Sequence, residues 1–326
     1  MMHLPDMKGK FMKSVVCVIC GLLVAISLSA ADIKYDSPQS FYANREIVLN
    51  IRTDGLAGRN FSWNVRYSGL TIAAAELAVP ETGAVEIKFT FPEIKEGVSA
   101  TAELVCVSGD KKLQKNLFFF APNPFAFRKK VLEKNKIGLW SPSGDDTAKK
   151  LFESLGVATV DVANFADFKE RLLVVVGIDF SNFSGLEKDI GGICSSGSNI
   201  LIINPAGGAL PLKTETFKNM LFSRNEKILE FDKKFDPEKW GDSLPNEKSL
   251  GLAPSDSAAA LNVADNRNGF TFMSAKIGKG ELVVCSWDIF GKAEKSPTPL
   301  YLLEKLIAGI KQEAAGNRQQ AIENKE

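Results

Sequence analysis

The stretch LLVVVGIDFSNFSGLEKDIGGICSSGSNILIINPAGG, residues 172–208, decides the fold. Leu172-Leu173-Val174-Val175-Val176 is apolar at every position, which suits a strand covered on both faces and not one with a wet face. Asn199–Ile203 repeats the pattern and closes at Asn204-Pro205. Between them the spacing predicts a helix over roughly Gly185–Ile193. Two buried strands joined by a helix predict parallel pairing within an α/β sheet.

The same alternation continues on both sides. Lys136–Trp140 and Val157–Val162 read as strands, with a helix over Asp145–Leu155 whose Leu151, Phe152 and Leu155 share a face. Thr214–Phe222 reads as helical. Phe270–Lys276 and Glu281–Trp287 read as a hairpin around Gly278-Lys279-Gly280. Thr298, followed by Pro299, is the expected cap of a last helix buried along Leu300, Leu303, Leu306, Ile307 and Ile310. Lys227–Pro254 has weak periodicity and reads as an irregular excursion. The polar tail from Glu313 offers little to bury.

Residues 32–122 have a different period. Ile47–Arg52, Phe61–Tyr67, Thr71–Val79, Ala84–Phe91, Ser99–Val107 and Leu113–Phe120 are short strand signals. Val85, Ile87, Phe89 and Phe91 point one way, Glu86, Lys88 and Thr90 the other. Asp54-Gly55, Ser68-Gly69, Thr82-Gly83, Glu96-Gly97 and Ser108-Gly109-Asp110 punctuate them. This is the spacing of an antiparallel sandwich, with Trp63 where immunoglobulin-like sandwiches bury a tryptophan. Ala121-Pro122-Asn123-Pro124 breaks the pattern. The expected fold is an all-β, immunoglobulin-like sandwich followed by a three-layer α/β domain with a largely parallel sheet. The expected boundaries are a signal peptide over 1–31, the sandwich over 32–122, a linker over 123–135, the α/β domain over 136–312 and a tail over 313–326.

The signal peptide is read from Lys8, Lys10 and Lys13, the apolar run Val15–Leu28 and the small residues Ser29, Ala30 and Ala31. A retained anchor is the alternative, for which that run is short of the roughly 20 residues a spanning helix needs. The formal net charge is +1, and cleavage would remove three lysines and Asp6 to leave −1. So balanced a chain has no electrostatic footprint for nucleic acid or anionic lipid, and no further stretch reads as a membrane span. Cleavage also removes Cys17, Cys20 and His3, the sole histidine. Cys106, Cys194 and Cys285 are too few for a disulfide framework, and a single Cys194–Cys285 bridge stays open.

From Leu172 to Gly208 the succession of strand, glycine, helix, glycine-bearing turn and strand resembles the core of class I glutamine amidotransferase-like domains, which are flavodoxin-like. Asn204-Pro205-Ala206-Gly207-Gly208 lies where that family has its nucleophile elbow, Gly-x-Cys-x-Gly. Ala206 replaces the cysteine and Asn204 the first glycine. The resemblance, soft in its motifs, extends over roughly Lys136–Gln312. It implies the fold with the amidase chemistry lost, in a degenerate module like those of secreted bacterial carbohydrate-processing or envelope auxiliary proteins.

Without histidine in the exported chain, Ser-His-Asp, Cys-His and histidine-containing zinc sites are excluded, and a thiolate-only zinc site would need a fourth cysteine. No phosphate-binding glycine motif is present and no cofactor is implied; Gly278-Lys279-Gly280 is a tight turn. Carboxylates are the remaining acid–base groups. Parallel strands gather their C-terminal loops along one edge. Those loops offer Ser141, Ser143, Asp145, Asp179, Ser181, Asn182 and Asn204, a lining suited to a neutral polyol or sugar; against it stands the favoured alternative of a vestigial edge, filled by its own loops or covered by the sandwich. For Asp145 and Asp146 the alternative role is helix capping. Trp240, flanked by Asp232, Asp236 and Asp242, is a second sugar or calcium candidate, against a solvated loop pinned by a buried indole. Asn60-Phe61-Ser62 and Asn182-Phe183-Ser184 match the glycosylation sequon. The expected function is non-catalytic binding or scaffolding in the cell envelope, with neutral glycans or envelope proteins as partners. The alternatives are a carboxylate-dependent carbohydrate-active hydrolase and an auxiliary subunit of an envelope transport or motility complex.

Overall fold

The computed structural model describes residues 31–134, 136–165, 168–213, 216–223, 248–255, 258–265 and 269–309. The expected signal peptide, Trp240 with its three aspartates, and the tail from Glu313 lie outside them.

The chain begins as a sandwich-type fold. One sheet has the order β1 (Asp32–Tyr35), β3 (Glu46–Asp54), β6 (Ala84–Thr90). The other has the order β2 (Ser40–Tyr42), β8 (Lys111–Phe120), β7 (Ser99–Ser108), β4 (Asn60–Tyr67), β5 (Leu70–Ala78). All six expected strands are present. The short β1 and β2 were not expected, because three or four residues carry too little alternation to read. On β3, Ile47, Leu49 and Ile51 are buried while Glu46, Val48, Asn50 and Arg52 are exposed. Trp63 on β4 is buried, and the Phe91 and Phe119 rings stack with centroids 3.8 Å apart. Each such ring withdrawn from water stabilises the sandwich by about 1.5–3 kcal/mol.

The second part of the chain is built on a seven-stranded sheet. Its strands are β9 (Ile137–Trp140), β10 (Thr159–Asp161), β11 (Leu172–Val176), β12 (Asn199–Ile203), β14 (Lys218–Ser223), β17 (Phe272–Ile277) and β18 (Gly280–Cys285). The spatial order is β10-β9-β11-β12-β18-β17-β14. The first five in that order are parallel; β17 runs antiparallel to them, and β14, antiparallel to β17, runs in their direction. Helices α1 (Lys129–Lys134), α2 (Thr147–Ser154), α3 (Leu186–Ser195), α4 (Ile289–Lys292) and α5 (297–309) accompany it. Leu172, Val174, Leu201, Ile203 and Val283 face one core with Phe152 of α2 and Leu303 of α5. Leu173, Val175, Ile200, Ile202 and Val284 face another with Ile190 and Cys194 of α3. This two-sided burial is why β11 and β12 carry no polar position after Asn199.

Several expectations need correction. Thr214–Phe222 is not a helix: Lys218–Ser223 is β14, paired with β17. Its Met220-Leu221-Phe222 run has no decisive period, and pairing with a sheet edge overrides weak helix propensity. The excursion 227–254 ends in β15 (Ser249–Ser255), which joins β16 (Ala258–Ala264) and β13 (Ala209–Leu212) in a separate antiparallel sheet. Alanine, proline and serine hide these strands from a periodicity reading, and the prolines Pro211 and Pro254 fall on the two edge strands, where they are tolerated. The last helix begins at residue 297, so Ser296 takes the cap position with Pro297 behind it, in place of Thr298 and Pro299; the Ser296 hydroxyl accepts from the Thr298 amide at 3.4 Å. Of the expected linker 123–135, the described residues 123–134 are ordered against the core and not an open connector. Ala126–Arg128 is a 3-10 turn, α1 follows, and Phe125 and Leu132 lie in the core with Phe152. Cys106, Cys194 and Cys285 are buried free thiols, pushed up to about 12 by burial. Cys194 and Cys285 face opposite sides of the sheet, so the possible bridge is absent.

Helix α5 is buried nearly all round because it meets the sheet on one side and the sandwich on the other. Tyr301 packs on Phe120 and donates its hydroxyl to Ala121 O at 3.1 Å and Val98 O at 3.3 Å. Tyr42 of β2 donates to Ala293 O at 2.8 Å, and Arg128 pairs with the buried Glu304.

Candidate functional site

Strands β9, β11, β12 and β18 are parallel, so the loops starting at Ser141, Gly177, Asn204 and Ser286 emerge along one edge. The chain leaves β9 for β10 on one side and reaches β11 on the other. Loops leaving such a reversal diverge, and the crevice between them is where open sheets bind ligands. Here the point of reversal falls between the turn 141–146 and the loop 177–184.

Three carboxylates of this edge are engaged by their own loops, while Asp146 makes no cap and pairs with Lys150 at 2.9 Å. Asp145 Oδ1 accepts from the Thr147 amide at 2.9 Å and the Thr147 hydroxyl at 2.6 Å, at the start of α2. Asp179 Oδ1 accepts from the Ser181 amide at 3.0 Å and the Ser181 hydroxyl at 2.6 Å. Asp288 Oδ1 accepts from the Gly291 amide at 3.0 Å. The donated bonds from Thr147 and Ser181 hold Asp145 and Asp179 below the usual carboxylate range, because hydrogen bonds to the charged form favour it. Ser141 and Ser143 approach each other at 3.3 Å.

The loops after β11 and β12 are stitched together. Ala206 N donates to Ile178 O at 2.7 Å, and Phe180 N to Gly207 O at 2.9 Å. Asn204 adopts a left-handed φ of 50°, and its amide donates to Cys285 O at 2.8 Å. Gly208, with φ 79°, lies against the Asp179 carboxylate and the Ser181 amide, leaving no space for a side chain. Asp179 and the 204–208 turn are therefore brought together. Ser141 and Asp145 belong to the opposite wall, and Asn182 is exposed with its amide donating to Asp179 O at 3.1 Å. After Gly208 the chain enters β13, not a helix. Ala206 is exposed at the tip of this turn.

Sequence reasoning missed an aromatic cluster at the end of β9, where Trp140 and Phe183 pack against the core on the α3 side of the sheet with Phe165. Trp140 ends β9, half-buried, and meets Phe165 and Phe183 edge-on with centroids 4.6 and 5.0 Å away. A tryptophan ending the strand at the point of reversal was the available signal; Trp240 drew attention by its aspartates. Two cavities lie on the flanks of α3, the second sharing Phe165 with this cluster. One of about 580 Å³ is lined by Glu187, Lys188, Ser195, Thr216 and Lys276. The other, about 290 Å³, is lined by Phe165, Phe168, Lys188 and Asp189. Neither includes an expected site residue. Among the described residues no three His, Cys, Asp or Glu side chains converge to hold a metal ion. No helix among them is long and apolar enough to cross a membrane.

No family model and no curated protein matches the chain. Among solved structures, an engineered protein is 13% identical with a TM-score of 0.21, over 28% of this chain and 20% of its own. The sulfur carrier protein SoxY from Chlorobium limicola f thiosulfatophilum is 11% identical with a TM-score of 0.20, over 32% of this chain and 97% of its own. A sialyltransferase from Photobacterium damsela is 14% identical with a TM-score of 0.21, over 51% of this chain and 42% of its own. At these TM-scores the likenesses assign neither fold family nor activity.

Proposed function

We propose that this chain is an exported, non-catalytic binding or scaffold protein of the cell envelope, and that its ligand is a neutral glycan held in the crevice between 141–146 and 177–184. One observation carries the reading: the edge carboxylates Asp145, Asp179 and Asp288 are spent on capping their own loops. A carboxylate-dependent glycosidase needs one carboxyl kept protonated by a raised pKa beside a second that stays ionised. Asp145 and Asp179 are shifted the opposite way. What remains at the crevice is a half-buried indole with serine, aspartate and asparagine groups, a combination that suits a sugar's apolar face and hydroxyls.

Within the same proposal, the first part is an immunoglobulin-like sandwich and the second a three-layer, flavodoxin-like domain of glutamine amidotransferase-like descent. The order β1-β3-β6 against β2-β8-β7-β4-β5, with Trp63 on β4, supports the former. Relabelled by their order along the chain, the parallel strands run 2-1-3-4-5, the flavodoxin-like arrangement, with α2 and α5 on one face and α3 on the other. The strand that follows Gly208 departs from a nucleophile elbow and agrees with the loss of chemistry expected from Ala206.

The test is titration of the purified protein with neutral oligosaccharides, read by tryptophan fluorescence and calorimetry. Binding weakened at least tenfold by Trp140→Ala is the expected result. Binding that survives Trp140→Ala moves the site elsewhere, and glycan or glutamine hydrolysis by the wild-type protein refutes the non-catalytic reading.

A further inference from the structure

We propose that the smaller cavity beside α3 binds a free α-amino acid with an apolar side chain, held by its zwitterionic head. The proposal does not rest on glycan binding at the crevice, and the outcome at one place does not decide the other. The cavity has a volume of about 290 Å³. Phe165 and Phe168 form one wall, and Gly192 and Ile193 of α3 the other. The exposed Lys188, Asp189 and Ser196 complete it.

The aromatic wall is fixed by the sheet and not by α3. The crossover from β10 to β11 spans only 162–171 and lays Phe165 and Phe168 on this face. Phe168 lies over Gly138 of β9, where a Cβ would stand 2.4 Å from its ring. Phe165 packs edge-on against Trp140 with centroids 4.6 Å apart. The Phe168 amide donates to Phe165 O at 3.2 Å, and Ser198, just past α3, donates its hydroxyl to Glu170 O at 2.9 Å. Both rings are therefore seated on β9 while the end of the crossover is tied to the end of α3, and the cavity is the gap left between them. Gly192 keeps it open, with nothing within 4 Å of a new Cβ.

The distribution of charge selects the ligand. Lys188, Gly192 and Ser196 follow one another at helical spacing, so the α3 wall runs just over two turns, about 12 Å. Charge sits at one end of it only. Lys188 and Asp189 are opposite in sign, and neither forms an ion pair among the described residues. A molecule that carries both signs on one carbon matches them, its carboxylate toward the Lys188 ammonium and its ammonium toward the Asp189 carboxylate. Beyond that end the lining is two phenyl rings, an isoleucine and a glycine, with Ser196 as the polar side chain at the far rim. The rest of the ligand is accordingly apolar, and an aromatic side chain gains edge or offset contacts with the two rings. A sugar presents hydroxyls on every side, and burying them unpaired against such a lining is costly. The volume lies at the lower limit of small-molecule sites, which suits a single residue.

Calorimetric titration of the full chain with L-phenylalanine tests this, with backbone amide shifts in NMR locating the site. Saturable binding that moves the Gly192, Ile193 and Ser196 amides is the expected result. Phenylalaninamide lacks the carboxylate and N-acetylphenylalanine the ammonium. Each should bind about tenfold more weakly, the scale of one hydrogen bond to a charged group. Lys188→Met should erase the preference over the amide, and Asp189→Asn the preference over the acetyl derivative. Gly192→Leu should abolish binding without lowering the melting temperature, because leucine is the better helix former and its Cβ meets open space. An absence of saturable binding by L-phenylalanine overturns the proposal. So do equal affinities for the three compounds, shifts confined to 177–184, or undiminished binding by a folded Gly192→Leu variant.

Discussion

Replacing Gly208 by alanine tests whether the two loops of the crevice are held as a unit. A methyl group there would overlap the Ser181 amide nitrogen and stand 2.8 Å from Asp179 Oδ1 and 3.0 Å from the Phe180 carbonyl carbon. Two of these three neighbours are backbone, so no rotamer change relieves the contact and the loop 179–181 has to move. Moving it breaks the Phe180 N to Gly207 O bond and strains the Ser181 N to Asp179 bond. At about 1 kcal/mol each, these losses total about 2 kcal/mol. The left-handed φ adds about 1 kcal/mol for any residue with a Cβ. Gly144→Ala is the control, because Gly144 has a similar φ of 74° with nothing within 4 Å of a new Cβ. That variant should show the conformational cost alone. Gly208→Ala should therefore be the less stable of the two by about 2 kcal/mol, or roughly 4–8 °C in melting temperature. Urea and thermal unfolding followed by circular dichroism give both numbers. Equal losses in the two variants would mean the loops are not locked together, and the rigid crevice wall built on Asp179 would have to be abandoned.

The carboxylates offer a second check. Asp179 is held low by Ser181, so its contribution is present above the ordinary carboxyl pKa of about 4 and disappears as pH falls through the lowered folded value. Ser181→Ala should move the Asp179 midpoint up in a carbon-detected NMR titration; an unmoved midpoint removes the hydroxyl's part in holding it low, leaving only the backbone amide. At the junction with the sandwich, Tyr301→Phe deletes the donor to the buried Ala121 O, while Val98 O keeps the Ala121 amide, and should cost about 1 kcal/mol. A melting temperature unchanged by Tyr301→Phe would show that the apolar contact with Phe120 alone holds the two parts.

Where burial leaves a single interpretation, the fold could be read from the residues. Leu172–Val176 and Asn199–Ile203 are strands to the residue, because a run buried on both faces has no other solution at that length. The alternation of β3 and β6 is equally plain, because one face of each is wet. The failures share a cause. β13, β15 and β16 are made largely of alanine, leucine, proline, serine and glycine, residues whose local preference is weak or contrary to a strand; β15 and β16 pair locally, while β13 joins β16 across some 50 residues. Nothing local announces such pairing. β14 was misread for the same reason.

The candidate site was legible in position but not in role. Parallel strands fix which loops share an edge, so Ser141, Asp145, Asp179 and Asn204 could be placed together from the alternation of elements. Whether a carboxylate there is a reactive group or a cap depends on which amide lies two residues on and how the backbone turns, and Ser181 and Thr147 settle that only in three dimensions. Asn204 shows the limit most clearly. It occupies a left-handed conformation at the end of β12, where the resemblance had suggested a glycine. Asparagine tolerates that region better than most residues with a Cβ, so the turn is kept while the following residues lead into β13. A turn retained by asparagine, an alanine at its tip and an aspartate consumed in bracing it form an edge organised for rigidity. An edge of that kind can present a fixed surface to a ligand.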